Sequence, residues 1–137
     1  MLHEVSLVRR TYFSAGHKYE SPVLSKDENI ATFGACYSEY GHGHNYILEA
    51  EVSGLLDQKT GMVMNLRDLD IILKKITTPL DHHFLNTDVE FFKTHVPTTE
   101  NVAIYCFNEL NELLPQGTTL RRVRVYESDD LWAEVVN

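Results

Sequence analysis

The chain is short of several things, and each shortage narrows what it can be. It has only two cysteines, Cys36 and Cys106, in 137 residues. That is too few for a disulfide framework and fits a reducing, cytoplasmic setting. No apolar run approaches the length that spans a bilayer. The opening residues, Met1-Leu2-His3-Glu4-Val5, lack the basic start and apolar stretch of a signal peptide. Basic residues are outnumbered, with 12 Lys and Arg against 20 Asp and Glu, for a net charge of −8. That balance argues against a general nucleic-acid or anionic-membrane partner, although a small anionic substrate needs only a local basic pocket. No linker, low-complexity segment or internal repeat divides the chain. One domain over residues 1–137 is expected, with 43% hydrophobic residues to build a core.

What is present centres on Gly41-His42-Gly43-His44-Asn45-Tyr46. The stretch runs into Ile47-Leu48-Glu49-Ala50-Glu51-Val52, whose alternation predicts a strand over about 44–53. Residues at i and i+2 of a strand share a face, so His42 and His44 project together. Gly41 and Gly43 are expected to keep bulk away from them. A first strand over 4–15 carries Val5, Leu7, Val8, Tyr12 and Phe13 with one break in its alternation, a candidate bulge, and ends at Ser14-Ala15-Gly16-His17. If the two strands are antiparallel neighbours, the end of one lies beside the start of the next, and His17 joins His42 and His44. Three imidazoles with one open position make a catalytic rather than a structural zinc arrangement, and no fourth protein ligand is evident beside them.

The remaining elements follow from spacing. The long connection 18–41 holds Pro22, a turn-like Lys26-Asp27-Glu28-Asn29, a helical turn at 30–33, and Cys36. Asn65 caps a helix of about three turns marked by Leu66, Leu69, Leu73 and Ile76, and Pro79 follows its end. Residues 79–86 fit no simple pattern. Thr98 or Thr99 caps a second helix whose buried stripe is Ala103, Cys106 or Phe107, Leu110, and Leu113 or Leu114. Residues 122–127 and 131–136 alternate as a third and a fourth strand. The order is β-β-α-α-β-β, an α+β fold with a four-stranded antiparallel sheet and two helices on one face. Its open sheet edges favour a symmetric oligomer.

Other residues are candidates for chemistry. Cys36, in a polar glycine-flanked loop, is a usable base or nucleophile near a cation, whereas Cys106 reads as an inert core thiol. Asp81-His82 is a possible acid–base pair, though adjacent residues rarely hydrogen-bond directly. Glu100 complements a helix N-terminus. Glu127 is either solvated or clamps a ring bearing an amidine-like N–H pair.

The ordered set Phe13-Ser14-Ala15-Gly16-His17, Cys36-x5-His42-Gly43-His44-Asn45-Tyr46, Gly61-Met62-Val63-Met64-Asn65-Leu66, Pro79-Leu80-Asp81-His82, Thr98-Thr99-Glu100-Asn101-Val102-Ala103 and Val125-Tyr126-Glu127 resembles the 6-pyruvoyl-tetrahydropterin synthase family, from about residue 9 to 136. The resemblance implies a tunnelling fold (T-fold) in which trimers close a barrel, two trimers stack, and active sites lie between subunits. It implies zinc on His17, His42 and His44, Cys36 as catalytic base, and Asp81 and His82 as its relay. It implies pterin contacts from Glu127, Thr98, Thr99 and Glu100. The implied activity is that of a carbon–oxygen lyase in tetrahydrobiopterin biosynthesis, converting 7,8-dihydroneopterin triphosphate to 6-pyruvoyl-tetrahydropterin with loss of triphosphate. Arg9, Arg10, Lys18, Arg122 and Arg124 are candidates for the triphosphate. Two sister activities stand as alternatives: a 6-carboxy-tetrahydropterin synthase of queuosine biosynthesis, and side-chain cleavage to 6-hydroxymethyl-dihydropterin. Glu39, three residues before His42, matches the glutamate of the cleaving branch or is a plain loop residue. A non-catalytic metal or pterin binding module is the non-enzyme alternative.

Overall fold

The computed structural model describes residues 2–137; Met1, the first residue of the expected domain, lies outside the described residues. The backbone of the fold is one antiparallel ladder. Strand β1 (Glu4–His17) pairs with β2 (His42–Leu55) without interruption, from Glu4 opposite Leu55 to His17 opposite His42. β4 (Thr119–Ser128) continues the sheet beside β2, and β5 (Leu131–Val136) closes it, giving four long antiparallel strands. A fifth strand, β3 (His83–Phe84), adds two residues parallel to the end of β1, so the order is β3-β1-β2-β4-β5.

One face of the sheet carries the core. Leu48, Ala50 and Val52 of β2 and Val123 and Val125 of β4 are fully buried there. Helix α2 (Leu66–Thr77) covers them with Leu69, Leu73 and Ile76, and α5 (Thr99–Leu113) with Val102, Ala103, Cys106 and Leu110. Each fully buried side chain of this size contributes roughly 1.5–3 kcal/mol relative to exposure. The caps are those the sequence predicts: the Asn65 side chain accepts from Arg67 N–H, and the choice between Thr98 and Thr99 falls on Thr98, which accepts from Asn101 N–H. The alternatives in the α5 stripe resolve to Cys106; Phe107 and Leu114 are half-buried and Leu113 is exposed.

The opposite face has no helix. Glu49, Glu51 and Ser53 point to it, as the alternation predicts, and Arg10 and Arg122 bracket Glu49, whose carboxylate is only 6% exposed. The break in the β1 pattern is not a bulge, because the β1–β2 register runs unshifted throughout. Val8 and Tyr12 are apolar positions of this helix-free face and lie 47% and 68% exposed. Register shifts fall instead in the β2–β4 pairing, between Glu51 and Val52, and in the β4–β5 pairing, between Tyr126 and Ser128.

The connection 18–41 is more helical than expected. Ser25 and Glu28 form a reciprocal capping box at the start of α1 (Lys26–Phe33), and a single 3-10 turn, Gly34–Cys36, follows. The segment after Pro79 folds as β3 and two one-turn helices, α3 (Leu85–Asp88) and α4 (Phe91–Thr94). No helix among the described residues is long and apolar enough to cross a membrane.

Gly41 and Gly43 are needed for a reason other than room for an ion. A Cβ on Gly41 would stand 2.6 Å from the Phe84 ring and 2.7 Å from the His17 carbonyl oxygen, at a φ of +75°. One on Gly43 would meet the Ala15 carbonyl oxygen at 3.2 Å. The glycines let β1, β2 and Phe84 close on one another. Gly41→Ala is therefore expected to destabilise the fold by about 2–3 kcal/mol, read as a lowered urea midpoint at unchanged m-value.

Candidate metal centre and active site

The register of the ladder sets the site. Because His17 faces His42 across the β1–β2 pair and His44 follows two residues on, the three side chains leave the same sheet face. Their ligand nitrogens all lie within 4.8 Å of one another, with His17 Nε2 and His42 Nε2 3.2 Å apart. His17 is fully buried, and its Nδ1 lies 2.8 Å from the Tyr46 hydroxyl. A neutral imidazole with its proton on Nδ1 donates to that oxygen and turns Nε2 toward the other two rings.

On the same face, Glu127 at the end of β4 reaches into the cluster. Its Oε1 stands 3.3 Å from His17 Nε2 and 3.0 Å from His44 Nε2, while Oε2 accepts a 3.0 Å hydrogen bond from the buried Thr99 hydroxyl. Glu127 is 7% exposed, so the solvated alternative for it is set aside. His44 Nε2 is buried and makes no hydrogen bond despite its neighbour. Three imidazoles, one of them with an unsatisfied buried nitrogen, and an adjoining carboxylate suit a divalent metal ion.

Tyr19 packs beside the cluster, its ring centroid 5.0 Å from that of His17. Burial first, and the Glu127 charge next, push its hydroxyl up to about 12, so it stays protonated. Neither Tyr19 nor the partnership of Tyr46 with His17 was foreseen, although Tyr46 shares the strand face of His42 and His44 and was within reach of the same periodicity.

The other candidates are placed as follows. Cys36 ends the 3-10 turn, half-buried, with its carbonyl accepting from Tyr19 N–H at 2.9 Å. Cys106 is fully buried in α5, where desolvation pushes its thiol up to about 12, which fits an inert core residue. Asp81 and His82 sit on the outer edge of β1: Asp81 Oδ1 accepts from Ser14 N–H at 2.8 Å, and His82 N–H donates to the Ser14 carbonyl at 2.6 Å. The Ser14 N–H holds the Asp81 carboxyl below the ordinary carboxylate range. The two adjacent side chains do meet, with His82 Nδ1 3.1 Å from Asp81 Oδ1. They can because His82 adopts a φ of +62°, the one positive value at a non-glycine among the described residues. No hydrogen bond joins Cys36 to His82 or to the histidine trio among the described residues. Thr98 is occupied as the α5 cap, and Glu100 is exposed in the first turn of that helix. Glu39 is exposed in the turn before Gly41.

A family profile described as 6-pyruvoyl tetrahydropterin synthase matches residues 6–137. A human 6-pyruvoyl tetrahydrobiopterin synthase is 46% identical over 128 residues, 93% of this chain and 88% of the relative. The chain belongs to the 6-pyruvoyl tetrahydropterin synthase family. The solved structure of the Caenorhabditis elegans 6-pyruvoyl tetrahydropterin synthase superposes with a TM-score of 0.95 at 38% identity, covering 99% of this chain and 97% of that one. The fold is thus the α+β T-fold subunit of the 6-pyruvoyl tetrahydropterin synthases. A putative 6-carboxy-5,6,7,8-tetrahydropterin synthase of Archaeoglobus fulgidus is 42% identical over 94 residues, 69% of this chain and 74% of the relative.

Two outcomes follow for this family member. Tyr46→Phe removes the acceptor that orients His17 and is expected to weaken metal affinity by about 10–100-fold in chelator competition. The second concerns the metal-free protein. Burial, then the neighbouring His42 and His44, depress His17 to about 3 from an ordinary value near 6.5. The unfolded chain therefore takes up a proton as pH falls below about 6.5 that the folded chain refuses until about 3, so stability falls with pH across that window and is flat above it. Unfolding of metal-free protein between pH 7.5 and 5 should show this slope, and His17→Gln should flatten it.

Proposed function

We propose that this lyase of the 6-pyruvoyl-tetrahydropterin synthase type converts 7,8-dihydroneopterin triphosphate to 6-pyruvoyl-tetrahydropterin with elimination of triphosphate, and that His17, His42 and His44 hold zinc for the reaction. The observation that carries the reading is the convergence of three imidazoles beside the buried Glu127–Thr99 pair. Bound zinc supplies Lewis acidity toward the side-chain oxygens of the substrate, which eases ionisation of the neighbouring C–H bonds.

The chain's own residues do the rest. Glu127, its carboxylate oriented by Thr99, makes a contact to the pterin substrate. Cys36, as thiolate, removes and returns protons on the side chain. Asp81 stays ionised on the Ser14 N–H and holds the His82 imidazole, which shuttles the proton or keeps the thiol reactive. Cys36 and His82 stand on separate loops, which supports a site completed between subunits. So do the edge of β1 before Ser14, which has no second strand among the described residues, and the exposed Val8, Tyr12 and Trp132 of the helix-free face. A trimer, stacked as a dimer of trimers, closes that edge.

For the triphosphate, Lys18 is favoured among the cations. Arg9 pairs with Asp70, Arg10 and Arg122 with Glu49, and Arg124 with Glu134. Lys18 follows His17 directly, and among the described residues its ammonium meets the Tyr37 ring and, loosely at 3.9 Å, Glu20. Two free thiols accord with a reducing, cytoplasmic setting.

The test is incubation of metal-loaded protein with 7,8-dihydroneopterin triphosphate and identification of the product by chromatography and mass. The pyruvoyl product is expected. A 6-carboxy or 6-hydroxymethyl product would reassign the branch, the second by giving the exposed Glu39 a role, and no turnover would sink the lyase reading. Cys36→Ala should lose at least about 100-fold in rate with its zinc content unchanged, whereas a carrier would keep its only property, binding.

A further inference from the structure

We propose that Asn86 is a positioning residue: its side-chain amide clamps the backbone of Lys18 and so holds the Lys18 ammonium in place for the phosphoryl groups of the substrate. The role in substrate binding rests on the reading of Lys18 above; the clamp rests on geometry.

β1 ends at His17, and its pairing with β2 ends there too. The backbone N–H and carbonyl of Lys18 need partners from elsewhere. One planar amide takes both. Asn86 Oδ1 accepts from the Lys18 N–H at 2.8 Å, and Asn86 Nδ2 donates to the Lys18 carbonyl at 2.8 Å. An amide side chain suits this because it carries an acceptor and a donor side by side on a rigid group. The contact continues the parallel register of β3, in which Ala15 faces His83 and Gly16 faces Phe84. Two residues beyond that pair, Lys18 meets Asn86, with a side chain standing in for a strand. Leu85, fully buried, anchors the segment just before the clamp.

The other end of Lys18 is held as well. Its ammonium lies 4.2 Å from the centroid of the Tyr37 ring, and its side chain is 18% exposed. Tyr37 follows Cys36, whose carbonyl accepts from Tyr19 N–H. Residues 17–19 thus run from a metal donor to the turn that bears the base, with Lys18 between them. The nearest carboxylate oxygen, on Glu20, is 3.9 Å from the ammonium, beyond hydrogen-bond length. A lysine ordinarily gives up the freedom of a long, flexible stem when it binds an anion. Here the backbone and the tip are both fixed beforehand, so less is lost when a phosphoryl group arrives. Were Asn86 only the finish of a strand, its loss would weaken the fold and leave phosphate recognition alone.

Kinetics of single and double variants separate the two roles. Asn86→Ala should raise KM for 7,8-dihydroneopterin triphosphate at least about fivefold with kcat within about twofold, at unaltered zinc content and far-ultraviolet circular dichroism. Lys18→Ala should raise KM about 10–100-fold, as loss of a charge-assisted contact does. The double variant should be no worse than Lys18→Ala, because Asn86 acts through Lys18. Inhibition by 7,8-dihydroneopterin, which has no phosphate, should be the same in all four proteins. Effects that multiply in the double variant, or an equal weakening of dihydroneopterin, overturn the proposal. A raised KM in Lys18→Ala but not in Asn86→Ala overturns the clamp's role and leaves the reading of Lys18 standing. An unchanged KM in both overturns that reading and the proposal together. Should no protein turn the substrate over, the lyase reading falls, and calorimetric titration of tripolyphosphate into zinc-loaded protein decides the clamp. Binding weakened by both substitutions upholds it, and binding indifferent to Asn86→Ala overturns it. If Asn86→Ala does not fold, Asn86→Ser takes its place, since one short hydroxyl cannot span both backbone groups.

Discussion

The site depends on one backbone register, His17 opposite His42. A slip of one residue in the β1–β2 pairing would send every side chain of one strand to the other face. His17 and His42 would then part, and Phe13 and Ala15 would leave the core. The register is therefore held by the whole ladder and by the stacked rings of Phe13 and Tyr46, whose centroids are 4.8 Å apart. The metal donors inherit this rigidity. Their mutual approach is unfavourable in itself: His17 is buried and cannot be charged near neutral pH, and His44 Nε2 goes without a partner, a penalty of about 1–3 kcal/mol. The core side chains of the same strands offset that cost and leave the cluster preorganised for a cation.

The same strand is treated differently along its outer edge. Over most of its length β1 presents unpaired groups, but at Ser14 both are taken up by the loop after Pro79, the N–H by Asp81 and the carbonyl by His82. The acid–base candidates are thus also the residues that finish the edge. A left-handed backbone at His82 costs on the order of 1–2 kcal/mol for a side chain bearing a Cβ. It persists here because two backbone hydrogen bonds and β3 fix the loop on either side, and it brings the imidazole onto the Asp81 carboxylate.

Much of this was legible from residue patterns, and the failures have physical causes. Alternation placed Tyr46, Leu48, Ala50 and Val52 inward and Glu49, Glu51 and Ser53 outward, and the i, i+2 rule put His42 and His44 together. Spacing predicts only a turn at 26–29 and one helical turn at 30–33 where α1 stands, because the helix has almost no apolar face and its Ile30 is 48% exposed; the Ser25–Glu28 capping box is its one strong signal. β3, α3 and α4 are too short to carry a period. Adjacent side chains such as Asp81 and His82 rarely meet on ordinary backbone, and the φ of +62° at His82 is what lets these two do so. Glu127 was found as a carboxylate at a strand end, but not as a neighbour of the histidines. That closeness comes from the β2–β4 register, Ile47 opposite Tyr126, which brings residue 127 alongside His44 and Tyr46 and which local spacing does not encode.

The division between ladder and loops bears on which reaction the site runs. Relatives named for pyruvoyl and for carboxy products both match this chain over two thirds of its length or more, so the scaffold as a whole does not choose the product. The histidines and Glu127 belong to the ladder, where geometry is hardest to change. Cys36, Glu39, Asp81 and His82 belong to connections, where a residue or a loop length can change without disturbing the core. On the proposed reading, product choice then resides in how a base on the 18–41 connection is presented to the substrate. In this chain the half-buried Cys36, whose carbonyl accepts from Tyr19 N–H, is the proposed base, and Glu39 is exposed.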